Sequence, residues 1–287
     1  MTSPTASPPP LSSPQLGTPR PAPATPDDRE RLLAGAHHDP HSVLGAHPVP
    51  DGLAFRVLRP CALSVTVVMG DAWAELHDDG DGFFSALLSL RHIPDYRLLV
   101  AYEGTVLESD DPYRFLPALG ELDLHLIGEG RHEELWKALG ARVMTHAGVR
   151  GTRFTVWAPN ARGVRVCGDF CHWDGSAYPM RSLGSSGVWE LFVPGLGPGT
   201  RYKLDITRPD GTHSVRADPM ARRTEVPPAT ASVVTESSYE WGDGEWMAGR
   251  GDRPVHEAPF SVYEVHLPSW RPGLTYRQLA DQLPAYV

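Results

Sequence analysis

Apolar residues recur at every second position through much of the chain, as they do in half-buried strands. The pattern occurs twice. Phe55, Val57, Pro60, Val65 and Val67 are echoed 99 residues later by Phe154, Val156, Pro159, Val164 and Val166. Further on, Tyr96-Arg-Leu is echoed by Tyr202-Lys-Leu at an offset of 106, and Asp111-Pro112 by Asp218-Pro219 at 107. The growing offset implies loop insertions in the second copy. In each copy a proline breaks the first strand, since a central proline cannot continue a ladder. Further strands are predicted over 83–88 and 96–102 in the first copy, and over 188–193 and 201–207 in the second. Each copy therefore reads as an antiparallel β-sandwich of immunoglobulin size.

Between the copies the apolar positions change period. Leu135, Trp136 and Leu139 share one helical face, Glu133 and Glu134 precede them, and Gly140 follows, which predicts a short capped helix. The end of the chain changes again. Residues 260–267 (Phe-Ser-Val-Tyr-Glu-Val-His-Leu) read as an apolar strand. Thr275 to Gln278 is a capping box opening a helix that contains Leu279 and Leu283. A strand, a loop and a helix are the opening βα unit of an α/β domain, and a (β/α)8 barrel needs typically about 250 residues. The expected architecture is mainly β: two immunoglobulin-like β-sandwiches in tandem, plus the first βα unit of a truncated (β/α)8 barrel. The expected boundaries are 1–27, a disordered Pro/Ser/Thr-rich tail; 28–118 and 148–240, the sandwiches; 119–147, the linker with its helix; and 241–287, the barrel lead-in.

Composition narrows the function. The 287 residues carry a net charge of -9 without a Lys/Arg run, so a nucleic-acid footprint is missing. No apolar stretch approaches the ~20 residues of a membrane-spanning helix, and the first residues lack the pattern of a secretory signal. Cys61, Cys167 and Cys171 are too few for a disulfide framework, and no second pair completes a zinc site. They read as buried or idle thiols in a cytoplasmic protein. His37, His38 and His41 lack metal-site spacing and read as part of a turn around Asp39-Pro40. No cofactor or metal is expected.

Several strings carry a resemblance. They are residues 37–45 (His-His-Asp-Pro-His-Ser-Val-Leu-Gly), 111–115 (Asp-Pro-Tyr-Arg-Phe) and 119–130, which opens Leu-Gly-Glu-Leu-Asp-Leu. Further along come 154–161, with Trp157-Ala-Pro159-Asn160-Ala161, then 168–175, with Trp173-Asp174-Gly175, and 263–270 (Tyr-Glu-Val-His-Leu-Pro-Ser-Trp). In this order, from about residue 29 to the end, they resemble the glycogen branching enzymes of glycoside hydrolase family 13. The 154–175 strings alone resemble the family 48 carbohydrate-binding module, which non-catalytic glucan-binding proteins and related debranching enzymes also carry. Those two remain the alternatives.

The resemblance implies cleavage of α-1,4 and formation of α-1,6 glucosidic bonds by a retaining mechanism, through an Asp nucleophile and a Glu acid/base. In the family these residues follow later barrel strands, so no catalytic residue is carried over and this chain alone is expected to be inactive. Glu264 and His266 would stand on the first barrel strand. The implied partner is α-1,4-glucan or glycogen, bound by a monomer. Trp173 aligns with a glucose-stacking tryptophan of the module and Lys203 with an assisting lysine. His213 stands where the family places a second aromatic, a departure from its pattern. Trp157 and Trp189, inside strands, are expected in the core; Trp241 and Trp246 are expected to pack on the barrel.

Overall fold

The computed structural model describes residue 16, residues 19–252, residue 257 and residues 259–286. Residues up to 237 form one compact unit and 238–287 a second.

The first unit holds both sequence copies. The first copy contains β1 (Gly45–Val49), β2 (Gly52–Leu58), β3 (Ser64–Met69), β4 (Ala72–Glu75), β5 (His77–Gly80), β6 (Phe83–Leu88), β7 (Arg97–Tyr102) and β8 (Thr105–Ser109). These pair antiparallel as two sheets, β1-β2-β6-β5 and β4-β3-β7-β8. Period-two alternation turns Leu53, Phe55, Val57, Phe84, Ala86 and Leu88 of one sheet toward Val65, Val67, Leu98 and Val100 of the other, forming one buried core. Burying each large apolar side chain contributes roughly 1.5–3 kcal/mol.

The second copy follows two short helices, while α1 (Pro26–Leu33) precedes the first copy. α2 (Glu121–Gly128) and α3 (Leu135–Ala138) precede β9 (Gly140–His146), β10 (Val149–Trp157), β11 (Gly163–Gly168), β12 (Arg181–Ser182), β13 (Val188–Pro194), β14 (Arg201–Thr207), β15 (His213–Arg216) and β16 (Ser232–Val233). One sheet runs β12-β13-β10-β9; the other runs β11-β14-β15, with β16 also on β14. Phe154, Val156, Trp189, Leu191 and Val193 face Val164, Val166, Tyr202 and Leu204.

The duplication extends to hydrogen bonds. Tyr96 Oη donates to Asp111 Oδ2 at 2.8 Å, and Tyr202 Oη to Asp218 Oδ2 at 2.6 Å. Each aspartate accepts with its other oxygen a backbone N–H two residues on, from Tyr113 and Met220. Burial pushes both carboxyls above the usual range, against these bonds.

The expected linker is a packed strap. Its longer helix is α2; the segment with Leu135 and Trp136 yields only four helical residues, and both side chains stay exposed. The strap covers the outer face of β13 and β10. Glu190, fully buried, accepts the backbone N–H groups of Ala118 at 2.9 Å and Leu119 at 2.7 Å. Arg181 donates to the Phe115 carbonyl and Arg153 to that of Ala138. At the other sheet, Arg165 on β11 donates to Leu32 O at 3.0 Å and Leu33 O at 2.6 Å, placing a cation on the carbonyl end of α1. Thr207 donates to the Gly35 carbonyl, which approaches Gly163 so closely that a Cβ there would lie 2.0 Å away. Tyr113 Oη reaches the carbonyls of Ala177 and Pro179. The sandwiches are thus joined side to side and share buried residues.

Two expectations are corrected. Disorder to residue 27 does not extend over the described part of the tail. Arg20 bridges Leu87, Ala22 N–H donates to the Ser85 hydroxyl, and Thr25 caps α1. A proline-rich segment buries little apolar surface, but a strand edge can hold it through the backbone groups that prolines leave free. Residues up to Gln15 lie outside the described residues.

The second correction concerns 260–267, which contains no strand. Phe260, Val262 and Tyr263 are exposed. A strand needs neighbours for its backbone groups, and among the described residues none pairs with this one. The second unit contains α4 (Gly244–Gly249), α5 (Leu267–Trp270) and α6 (Tyr276–Gln282). The expected capping box opens α6: Thr275 Oγ1 accepts Gln278 N–H, and Gln278 Oε1 accepts Thr275 N–H. Among the described residues no helix is long and apolar enough to cross a membrane.

Candidate functional site

β11 ends at Gly168, and the next seven residues form a tight loop that returns to the sheet. His172 and Trp173 both adopt left-handed backbone, with φ of 50° and 65°. Non-glycine residues pay for that conformation, and such strain persists only where the surroundings impose it. Here Trp173 N–H donates to Gly168 O at 3.0 Å, Asp174 N–H to Cys171 O at 2.9 Å and Gly168 N–H to Cys171 Sγ at 3.3 Å. Asp174 also accepts Ser176 N–H. The indole of Trp173 is left 42% exposed on this pinned backbone.

Lys203 lies beside the loop. It faces Cys167 across β11 and β14, one register step from the Gly168–Tyr202 pair. Alternation on β14 sends Tyr202 and Leu204 inward, so Arg201, Lys203 and Asp205 point outward. Lys203 Nζ donates to Thr230 Oγ1 at 2.8 Å, leaving other ammonium protons for a ligand. Arg201 holds the rim: its Nε donates to Asp169 Oδ2 at 2.9 Å and its Nη1 to Glu225 Oε1 at 3.1 Å. The Arg201 hydrogen bond holds the Asp169 carboxyl below its usual range, and the Ala231 N–H, with Arg201, does so for Glu225.

His213 shares this sheet face but not this cluster. It pairs with Thr207, four residues along β14 from Lys203, or about 13 Å at strand spacing. Its ring nitrogen is engaged by Asp205 at 3.2 Å. Lys203 therefore lies on the strand next to the one that leads into the Trp173 loop, and His213 lies further along the sheet.

The other singled-out residues fall as follows. Trp189 is buried, its N–H on the Ala158 carbonyl. Trp157, expected in the core, is 54% exposed, because alternation on β10 turns Val156 inward and Trp157 outward. Its N–H is held by the Ser186 carbonyl. His37 bonds Asp28, His38 lies against Trp189, and His41 meets Tyr113 edge-on with both ring nitrogens buried and unpartnered. No group of three or more potential metal ligands occurs among the described residues. Cys61 is exposed, while burial pushes the Cys167 and Cys171 thiols up to about 11. In the second unit Trp241 and Trp246 are exposed, and His266 precedes α5 with its ring on the Ser269 hydroxyl. Sequence reasoning missed Asp169, Arg201, Glu225 and Thr230. Only Asp169 lay in a string already singled out; the others lack any local signature.

Comparison with known proteins gives two family matches. Residues 25–113 match the N-terminal domain of alpha-1,4-glucan branching enzyme GlgB, and residues 138–221 match carbohydrate-binding module 48, described as the isoamylase N-terminal domain. The chain is 76% identical over 262 residues to 1,4-alpha-glucan branching enzyme GlgB 1 of Streptomyces avermitilis, covering 91% of this chain and 31% of that one. It is 73% identical over 260 residues to GlgB 1 of Streptomyces coelicolor, covering 91% and 34%. To GlgB of Thermobifida fusca it is 54% identical over 264 residues, covering 90% and 35%. The chain thus spans about a third of the length of these relatives.

Proposed function

We propose that this chain, 76% identical to a 1,4-alpha-glucan branching enzyme over 31% of that relative, belongs to those enzymes and holds α-1,4-glucan for their reaction. The whole protein of which it forms the N-terminal region would cut an α-1,4 bond and re-form it as α-1,6 in the cytoplasm. The contribution of these residues is to bind and position the polymer as a monomer.

The observation that carries this reading is the Trp173 loop with Lys203 beside it. A pyranose has an apolar C–H face that stacks on an indole, and its rim of hydroxyls accepts from an ammonium. Pinning Trp173 in a strained conformation orients the ring before the ligand arrives, which reduces the ordering cost of binding. Lys203, already anchored on Thr230, can share its remaining protons with sugar hydroxyls. His213, about 13 Å along the strand, would meet a different residue of a long chain. With its nitrogen on Asp205 it presents an edge rather than a free donor.

Affinity electrophoresis in glycogen-containing gels tests this. Trp173→Ala should weaken retention by roughly tenfold, the loss of about 1.4 kcal/mol of ring contact. Lys203→Met should weaken it less, and His213→Ala least. Unchanged mobility of Trp173→Ala would remove this face from the function.

A further inference from the structure

Three arginines gather on the outer face of the β12-β13-β10-β9 sheet, on the side away from the Trp173 loop's sheet. Arg142 on β9 stands directly opposite Arg153 on β10. Like charges at opposed positions of a sheet repel. Arg153 is compensated: it donates to the carbonyls of Lys137 at 3.3 Å and Ala138 at 2.8 Å, and the Glu190 charge acts on it.

No carboxylate charge acts on Arg142. One amino group of Arg142 donates to the Trp136 carbonyl, while its Nε, like that of Arg153, is buried without a partner. Burial and the neighbouring charges of Arg222 and Arg153 hold its guanidinium below the usual range. Arg222 comes near because the Met220 carbonyl lies against Gly140, two residues before Arg142. Arg222 itself is exposed and makes no ion pair among the described residues. The surrounding carboxylates are committed: Glu190 to two backbone N–H groups, Asp123 to His132 and Glu134 to Lys137. Arg153 is offset by Glu190 and Asp123, whereas no carboxylate is paired with Arg142 or Arg222 among the described residues.

We propose that Arg142 and Arg222, backed by Arg153, form an oxyanion site that takes a phosphate dianion, either free or as a phosphate monoester. Guanidinium forks match tetrahedral oxyanions through paired N–H donors, and a dianion offsets both uncompensated charges. Trp136, half exposed beside the site, gives it an optical reporter. The proposal is independent of glucan binding at Trp173.

The test is titration of the 287-residue chain with inorganic phosphate against chloride at constant ionic strength, followed by tryptophan fluorescence and phosphorus NMR line width. Saturable binding is expected, weakened at least about tenfold in Arg222→Gln and in Arg142→Gln. Arg222 is exposed and unbonded, so Arg222→Gln keeps the fold even if Arg142→Gln does not. An equal response from Arg222→Gln and the unsubstituted chain overturns the proposal. Gels containing phosphorylated or dephosphorylated amylopectin separate the sources. Extra retardation on the phosphorylated polymer, lost in Arg222→Gln, assigns the phosphoryl group to the glucan. Equal retardation together with saturable phosphate binding assigns the site to free phosphate. No saturable binding and no difference between gels overturns it.

Discussion

Single residues here owe their roles to which way a strand turns them. Trp157 and Trp189 both sit in apolar strings, yet one is exposed and the other buried. Periodicity named the strand but not which of its faces would turn into the core. Trp173 was legible through the 168–175 string that carries the resemblance; its left-handed backbone was not. His41 is the clearest residue-scale consequence of packing. Burial, with Arg181 adding to it, lowers its pKa from 6.5 to about 3, so it is held neutral. The unfolded chain takes up a proton as pH falls below 6.5 and the folded chain does not until about pH 3. Stability should therefore fall on acidification through that window. In His41→Phe this part of the slope should vanish, read as a smaller shift of the urea midpoint between pH 7 and pH 5. An unchanged shift would show that His41 is not the buried titrating group.

At the scale of elements, the internal repeat foretold more than strand positions. The strands expected over 83–88 and 201–207 lie at Phe83–Leu88 and Arg201–Thr207. The echo of Tyr96 and Asp111 by Tyr202 and Asp218 proves to be the same buried hydrogen bond in both sandwiches. Tyr96→Phe and Tyr202→Phe should each cost about 1–3 kcal/mol in urea unfolding, because each leaves a buried carboxylate oxygen without its donor. No loss from either would show that the paired bonds do not hold their sandwiches. The rim of the Trp173 loop behaves differently with pH. Asp169 and Glu225 are held below their ordinary values of 3.8 and 4.5, so the stabilisation they give is complete above those values. It is lost as pH falls through their lower folded values. Glycogen retention should accordingly stay level from pH 7 to about pH 5 and drop only below about pH 4. A drop centred near pH 6 would show that these two carboxylates do not set the retention.

For the whole molecule, the two sandwiches form one compact unit, bound by buried polar contacts as much as by apolar ones. A chain ending after residue 237 should keep that unit's melting transition and be more soluble, since it sheds exposed Trp241, Trp246, Phe260, Val262 and Tyr263. A lost transition or a lower soluble fraction would show that 238–287 supports the sandwiches. The sequence by itself determined the mainly β class, the duplication, the strand positions of both copies and the resemblance to a family, because each is written in local periodicity or in contiguous strings. It misjudged the described part of the tail and the 260–267 strand, since those depend on whether a neighbour is present to pair with. Only the tertiary structure decided that Lys203 pairs with Cys167 at the start of the Trp173 loop while His213 pairs with Thr207 further along β14, that Arg201 braces the loop, and that Arg142 opposes Arg153. Each depends on the register of strands distant in sequence, which side-chain alternation alone does not fix.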